Sequence, residues 1–200
     1  AQAQEGRGPR RRGGFGGPKW WGSAWAGYQW SNPVGDPTTQ SVWDFDSNWS
    51  MRLTAEREVA PRTTLGVVFN YARLPLTIAG GQSATSCRTG CLADGTMASY
   101  GVMARSGGGP GLHLVYEGFA GALRYSNFTI TRGTAPEYAG MKNTDFTWSF
   151  GTGLGYGIGR DFELSAMFDY GTSVHEKSND LFQQRTTRHY TTRVGLRVGL

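Results

Sequence analysis

Between residues 146 and 159 the chain reads Phe146, Thr147, Trp148, Ser149, Phe150, Gly151, Thr152, Gly153, Leu154, Gly155, Tyr156, Gly157, Ile158, Gly159. Every second residue is bulky and nearly all of these are apolar, while the residues between them are Thr, Ser or Gly. Successive side chains of a strand point to opposite faces, so one face is a wall of rings and aliphatics and the other is nearly bare backbone. A sheet in water hides its apolar face and shows a polar one. Five glycines on the second face would weaken a solvated strand without compensation. A closed barrel in a membrane accounts for both faces, because lipid covers the outside and a tight interior needs small residues.

Composition narrows the choice in the same direction. Only 38% of the 200 residues are hydrophobic, and no run of about 18 apolar residues occurs to form a spanning helix. A spanning chain without such a run must close its sheet, since unpaired strand edges are not tolerated in hydrocarbon. The 31 Gly beside 7 Trp, 9 Tyr and 10 Phe fit a β-rich chain.

Period-two alternation predicts eight strands: Trp20–Trp30, Asn48–Val59, Thr63–Leu74, Met97–Arg105, Leu112–Tyr125, Asp145–Gly159, Phe162–Tyr170 and Arg185–Leu200. Three links are short, around Pro61, Pro110 and Asp161. Four are long and polar, over residues 31–47, 75–96, 126–144 and 171–184. Long and short links alternate strictly, as an up-and-down barrel with tight periplasmic turns and long extracellular loops requires. The expected fold is therefore all-β, an eight-stranded antiparallel up-and-down transmembrane β-barrel over residues 20–200, with both ends on the short-turn side.

The last strand carries a further feature. Arg193-Val-Gly195-Leu-Arg-Val198-Gly-Leu200 resembles the C-terminal strand of the small outer-membrane barrels of the OmpA, OmpX and OmpW type, with Leu200 where an aromatic is usual. The resemblance implies a signal in Arg193, Gly195, Val198 and Leu200 that is read by the outer-membrane assembly machinery. It also implies residence in the bacterial outer membrane of a Gram-negative cell, among membrane lipids and lipopolysaccharide. The start Ala1-Gln-Ala3-Gln is compatible with a mature end left by signal-peptide removal.

Trp and Tyr favour the headgroup level. Strand directions place Trp30, Trp49, Tyr71, Trp148, Tyr170 and Tyr190 near the extracellular ends, and Trp20 and Phe162 near the periplasmic ends. The inward faces carry Arg52, Arg105, Arg193 and Arg197 against Glu56, Glu58, Glu117, Glu163 and Asp169. Eight strands leave a lumen just wide enough for side chains, and isolated buried ions are costly. These groups are expected to pair, with Glu163 and Asp169 meeting Arg193 and Arg197 across the last two strands. Such a network reads as a plug that blocks the lumen, or as the lining of a narrow channel.

Cys87 and Cys91 are separated by three intervening residues in the second long loop. An oxidising compartment favours a disulfide there over free thiols, and two Cys with no nearby His make half a zinc site. Residues 1–19 form a Gly, Pro and Arg-rich arm in which Arg7, Arg10, Arg11, Arg12 and Lys19 oppose Glu5, so the arm carries +4 of the total +5. It is predicted to be a solvated tail on the periplasmic side, whose partners are anionic headgroups, an envelope protein or a neighbouring barrel rather than nucleic acid.

Some barrels that this chain resembles are lipid A acyl hydrolases that use a His, a Ser two residues later and a Glu. Here His189 is followed by Thr191, and no carboxylate follows in that strand; His113 and Glu117 face inward without a nearby hydroxyl. No catalytic residue, metal ligand or cofactor is assigned. The expected function is structural, adhesive or in envelope assembly, through the long loops and the arm. The alternative is a narrow channel for ions or small apolar molecules, as in the OmpW-like branch; the acyl hydrolase ranks last.

Overall fold

A computed structural model describes residues 20–36, 41–80, 90–133, 143–174 and 186–200. Among them are ten strands: β1 Trp20–Ser31, β2 Val34–Asp36, β3 Ser41–Phe45, β4 Asn48–Ala60, β5 Thr63–Gly80, β6 Cys91–Ser106, β7 Gly111–Arg132, β8 Asn143–Ile158, β9 Phe162–Val174 and β10 Thr186–Gly199. Eight close into an antiparallel barrel in the order β1, β4, β5, β6, β7, β8, β9, β10, and β10 pairs back on β1 from Trp21 opposite Gly199 to Ser31 opposite His189. The ends meet at the short-turn side, where Leu200 N donates to Trp20 O at 2.9 Å. The basic arm, Cys87 and parts of the long links lie outside the described residues.

The alternation dictates which way each side chain faces. Leu53, Val67, Phe69, Val102, Leu114, Phe150, Leu164 and Val194 are all more than 40% exposed and lie on the outer surface. A continuous apolar band of that size on a monomer in water would be an association surface; around a closed barrel it is the surface that lipid wets. The inner face of β8 is lined by Gly151, Gly153, Gly155 and Gly157. A Cβ on Gly151 would collide with Asp169, and one on Gly155 with the His113 ring. The glycines leave room for side chains reaching over from neighbouring strands. Gly159 belongs instead to the turn, with φ +70°, a conformation glycine adopts without steric cost.

Two features depart from the expected strands. The first long link is not wholly loop: β2 and β3 form a hairpin, and β3 pairs with the upper part of β5 from Ser41 opposite Gly80 to Phe45 opposite Leu76. In addition, β5, β6 and β7 run on to Gly80, back to Cys91 and on to Arg132, through stretches expected to be loops. This side of the barrel is the taller one.

The reason lies in the side-chain pattern. Along β5 the exposed outer residues Leu65, Val67, Phe69 and Tyr71 give way to Arg73, while the inner residues pass from Thr64 and Asn70 to the buried Ala72, Leu74, Leu76 and Ile78. Along β6 the outer Val102 and Tyr100 give way to Thr96 and Asp94, and the buried inner residues pass from Arg105 and Ser99 to Met97, Ala93 and Cys91. In β5 and β6 the apolar face changes sides without a slip in the alternation; in β7 a bulge at Asn127, φ +59°, moves the inner positions from Leu123 and Tyr125 to Phe128. The switch falls on one row of paired residues, Tyr71, Ala98 and Arg124. Below that row the outer face meets lipid; above it the outer face meets water, and the sheet takes the polarity of a soluble protein.

Candidate functional site: the ionic layer of the lumen

The lower half of the lumen holds ionic side chains from five of the eight barrel strands. Arg52 and Glu56 come from β4, Arg105 from β6, Glu117 from β7, Glu163 and Asp169 from β9, and Arg193 and Arg197 from β10; each is at most 6% exposed. Arg193 grips Asp169 through two hydrogen bonds, Nε to Oδ2 at 2.5 Å and Nη2 to Oδ1 at 3.0 Å. It also donates from Nη2 to Glu117 Oε1 at 2.9 Å, an oxygen that Arg52 shares through Nη2. Arg105 Nη2 donates to Glu163 and, at 3.1 Å, to Ser165 Oγ. Arg197 donates to Glu56 Oε2 from Nη2 at 2.8 Å.

Asp169 and Arg193 meet directly across β9 and β10. Glu163 and Arg197 are further apart at 3.6 Å, because each has a closer partner, Arg105 and Glu56 respectively. The carboxylates are anchored in turn by hydroxyls: Thr54 and Thr64 donate to Glu56 at 2.8 and 2.7 Å, and Ser165 to Glu163 at 2.7 Å. Four arginines thus balance four carboxylates, and charge-assisted bonds offset part of their desolvation. Glu58 sits half-buried near the lower end of β4, where the pairing with β5 shifts register.

Aromatic rings complete this layer, and here the alternation in β1 was a poor guide. Trp25 is 4% exposed and lies under Arg193 at 4.3 Å and Arg105 at 5.6 Å, while Trp21 lies under Arg197 at 4.1 Å. Because β1 carries aromatics on both faces, its sequence does not reveal which ring enters the lumen. His113 is another member that spacing alone did not connect, with Nε2 3.4 Å from Glu163 Oε2. The C-terminal motif has a packing role of its own: a Cβ on Gly195 would strike the Trp25 ring. Arg193 belongs to the ionic layer, Val198 is half-buried and Leu200 is exposed.

The upper layer is apolar. Trp43 and Phe45 of β3 and Val34 of β2 pack onto Leu74, Leu76 and Ile78 of β5, Cys91 and Ala93 of β6, and Leu123, Tyr125 and Phe128 of β7. Trp43, Val34, Leu76 and Ile78 are each about 1% exposed, so the β2–β3 hairpin covers the inner face of the tall side. Cys91 is fully buried in this cluster.

Above the ionic layer the lumen holds a cavity lined by Arg52, Arg193, Asp169 and Trp25, by Ala72, Met97 and Leu123, and by Asn70, Ser99, Ser149 and Thr191. His189 borders it, with Nε2 3.4 Å from both Thr147 Oγ1 and Ser173 Oγ. Neither hydroxyl was singled out in the sequence, since they stand on β8 and β9, 42 and 16 residues away from His189. Among the described residues no group of three or more His, Cys, Asp or Glu could hold a metal ion.

On the outer surface Trp20, Trp49 and Phe162 are at least half exposed, and Tyr71 and Trp148 somewhat less. Trp148, Tyr170, Tyr190 and Trp30 form a chain of ring contacts over β8, β9, β10 and β1, with centroid distances of 6.0, 5.5 and 5.8 Å. Tyr28 joins Trp49 edge to face at 5.9 Å.

This closed barrel, apolar outside and ionic within, matches solved membrane proteins across nearly its whole length. Neisserial surface protein A aligns with a TM-score of 0.59 at 15% identity, covering 92% of this chain and 99% of that one. The outer membrane protein OprG from Pseudomonas aeruginosa aligns with a TM-score of 0.55 at 10% identity, covering 92% and 98%. The fold is that of the small outer-membrane β-barrels. No protein-family model and no curated protein matches the sequence, so the likeness is one of architecture.

Proposed function

We propose that the chain is a non-enzymatic barrel of the bacterial outer membrane with a structural, adhesive or envelope-assembly role, exerted through its extracellular side and its basic arm. The observation that carries this reading is the ionic layer across the lower lumen. A through-path would have to break ion pairs that join β4, β6, β7, β9 and β10. The tall side instead presents Asp44, Asp94, Thr129 and Thr131 to the exterior, a polar surface raised above the lipid boundary and suited to contact with other molecules.

In this reading membrane lipids and lipopolysaccharide surround the barrel, the assembly machinery reads the last strand, and the arm engages an acidic envelope partner or a second copy of the barrel. Cys87 and Cys91 form a disulfide that fixes the base of the second loop, a reading supported by the absence of free cysteines among the described residues. The test is single-channel recording in planar bilayers with the refolded full chain. The expected result is no conductance steps; regular steps of fixed size would replace this reading with that of a narrow channel.

A further inference from the structure

The outer surface carries positive charge at the level where the sheet leaves the lipid. Arg124 of β7 stands on the switch row opposite Ala98 of β6, and Arg73 of β5, the next outward residue above Tyr71, stands opposite Thr96. Both arginines are exposed. Paired strands lie about 4.8 Å apart, and residues two apart on one face about 7 Å, so the two side chains flank the same short stretch of β6 from either side. Among the described residues neither arginine has an ion pair. The outward carboxylate of β6, Asp94, lies one step further from the lipid, opposite Pro75.

A bulge builds the ground between the arginines. The pairing of β6 with β7 shifts register between Asp94 and Thr96, and Asn127 takes a positive φ, a region that asparagine enters more readily than other non-glycine residues. Bulges re-aim side chains. Here Asn127 Nδ2 donates to Thr96 Oγ1 at 3.1 Å, while Thr96 Oγ1 donates to the Ser126 carbonyl at 3.1 Å and lies 3.1 Å from Ser126 Oγ. One amide and two hydroxyls thus gather on the outer face beside the two guanidinium groups.

Immediately below, Tyr71 and Tyr100 are exposed, and beneath them Phe69 and Val102. Tyrosines of this kind mark the headgroup level, and the aliphatics and rings under them meet acyl chains. A ligand that fits the whole patch has fixed negative charge and several acceptor oxygens at headgroup depth, with hydrocarbon below. Phosphate meets the first requirement, because the guanidinium fork matches its oxygens two at a time. This end of the barrel carries the long links and faces outward, so the phosphorylated lipid beside it is the lipid A of lipopolysaccharide. At the opposite boundary the outward Arg57 lies instead over the Trp20 ring at 5.6 Å.

We propose that Arg73 and Arg124, with Thr96, Ser126 and Asn127 beside them, form a docking site for the phosphorylated headgroup of lipid A on the tall side of the barrel. The site rests on the reading above of a barrel surrounded by lipopolysaccharide, and it is indifferent to whether the lumen conducts.

Native mass spectrometry of the refolded full chain in detergent tests it, with bisphosphorylated lipid A, dephosphorylated lipid A and phosphatidylglycerol as the three probes. The expected result is one bisphosphorylated lipid A retained per barrel, with the other two lipids bound at least tenfold more weakly. Arg73→Gln combined with Arg124→Gln is expected to lower lipid A retention at least tenfold, whereas Arg57→Gln leaves it unchanged. Equal binding of dephosphorylated lipid A or of phosphatidylglycerol, or an equal loss in Arg57→Gln, would overturn the proposal. Folding of each variant is checked by heat-modifiable gel migration. Should the double variant not fold, each single arginine variant carries the same test with a smaller expected loss, and a folded single variant that retains lipid A in full counts against the site. A barrel that conducts yet selects lipid A ends the structural reading and keeps this site; a silent barrel that binds all three lipids alike does the reverse.

Discussion

The lower and upper halves of the lumen fill the same cylinder with different chemistry. Within the lipid zone the inner face sets Arg52, Arg105, Arg193 and Arg197 among Glu56, Glu117, Glu163 and Asp169, beside the buried apolar Val68, Met103, Val115, Phe119 and Met167. Above the row of Tyr71, Ala98 and Arg124 it is a packed apolar cluster roofed by Trp43 and Phe45. The strands are continuous through the change. What differs is the medium outside: where lipid takes the apolar side chains, the polar ones must be satisfied inside, and where water wets the outer face, the hydrophobic effect draws the apolar ones inward. A transmembrane barrel and a small soluble core are thus built on the same three strands.

If that division is right, the two layers should fail differently. Glu117 touches Arg52 and Arg193 and lies 3.8 Å from Arg105. Glu117→Leu should therefore destabilise the whole barrel by about 3–5 kcal/mol, the cost of leaving buried charge uncompensated, read as a fall in the urea midpoint and loss of the compact band on unheated gels. A comparable truncation above, Trp43→Ala, removes a core ring at a cost of about 3–5 kcal/mol, but the loss should be local. Hydrogen exchange should rise over residues 41–45 and 74–78 while the heat-modifiable band persists. A barrel that melts as a whole in Trp43→Ala would show that the layers are one cooperative unit.

The boundary itself can be moved across the lipid surface. Val67 is 60% exposed on the outer face below the switch row, and Val67→Arg should cost about 2–4 kcal/mol if it lies near the bilayer midplane. Gly195→Ala asks less of the molecule, pushing Trp25 off the Arg193 and Arg105 guanidinium groups; an overpacking cost of about 1–3 kcal/mol should appear as a lower urea midpoint in a barrel that still folds. The smallest effect is expected from Thr77→Arg, on the outer face above the row, which should stay within about 0.5 kcal/mol as surface changes do. Equal costs for Val67→Arg and Thr77→Arg would place the lipid boundary elsewhere.

Much of this barrel could be read from the residue order. Alternation in β8, β9 and β10 orients every side chain there, and the long and short links give the topology. The hairpin and the strand extensions were not legible, because alternation was read with apolar residues outward. Leu74, Leu76 and Ile78 break that rule, and Pro75 at their centre reads as a loop signal although its carbonyl accepts from Asp46 N at 2.9 Å. The ionic candidates could be listed but not paired. Arg197 prefers Glu56, 141 residues away, to the adjacent strand's Glu163, and only closure of the ring brings β10 to β1 and β4 within reach.

By itself, then, the order of residues determined the outward apolar face and the glycine-lined inner wall, which follow from a local period of two, and the up-and-down connectivity, which follows from the alternation of long and short links. The tertiary structure alone decided which charges meet, that Trp25 and Trp21 lie inside, and that a hairpin roofs the tall side. Those outcomes depend on how strands distant in sequence curve around a shared axis, and a one-dimensional pattern carries no record of that curvature.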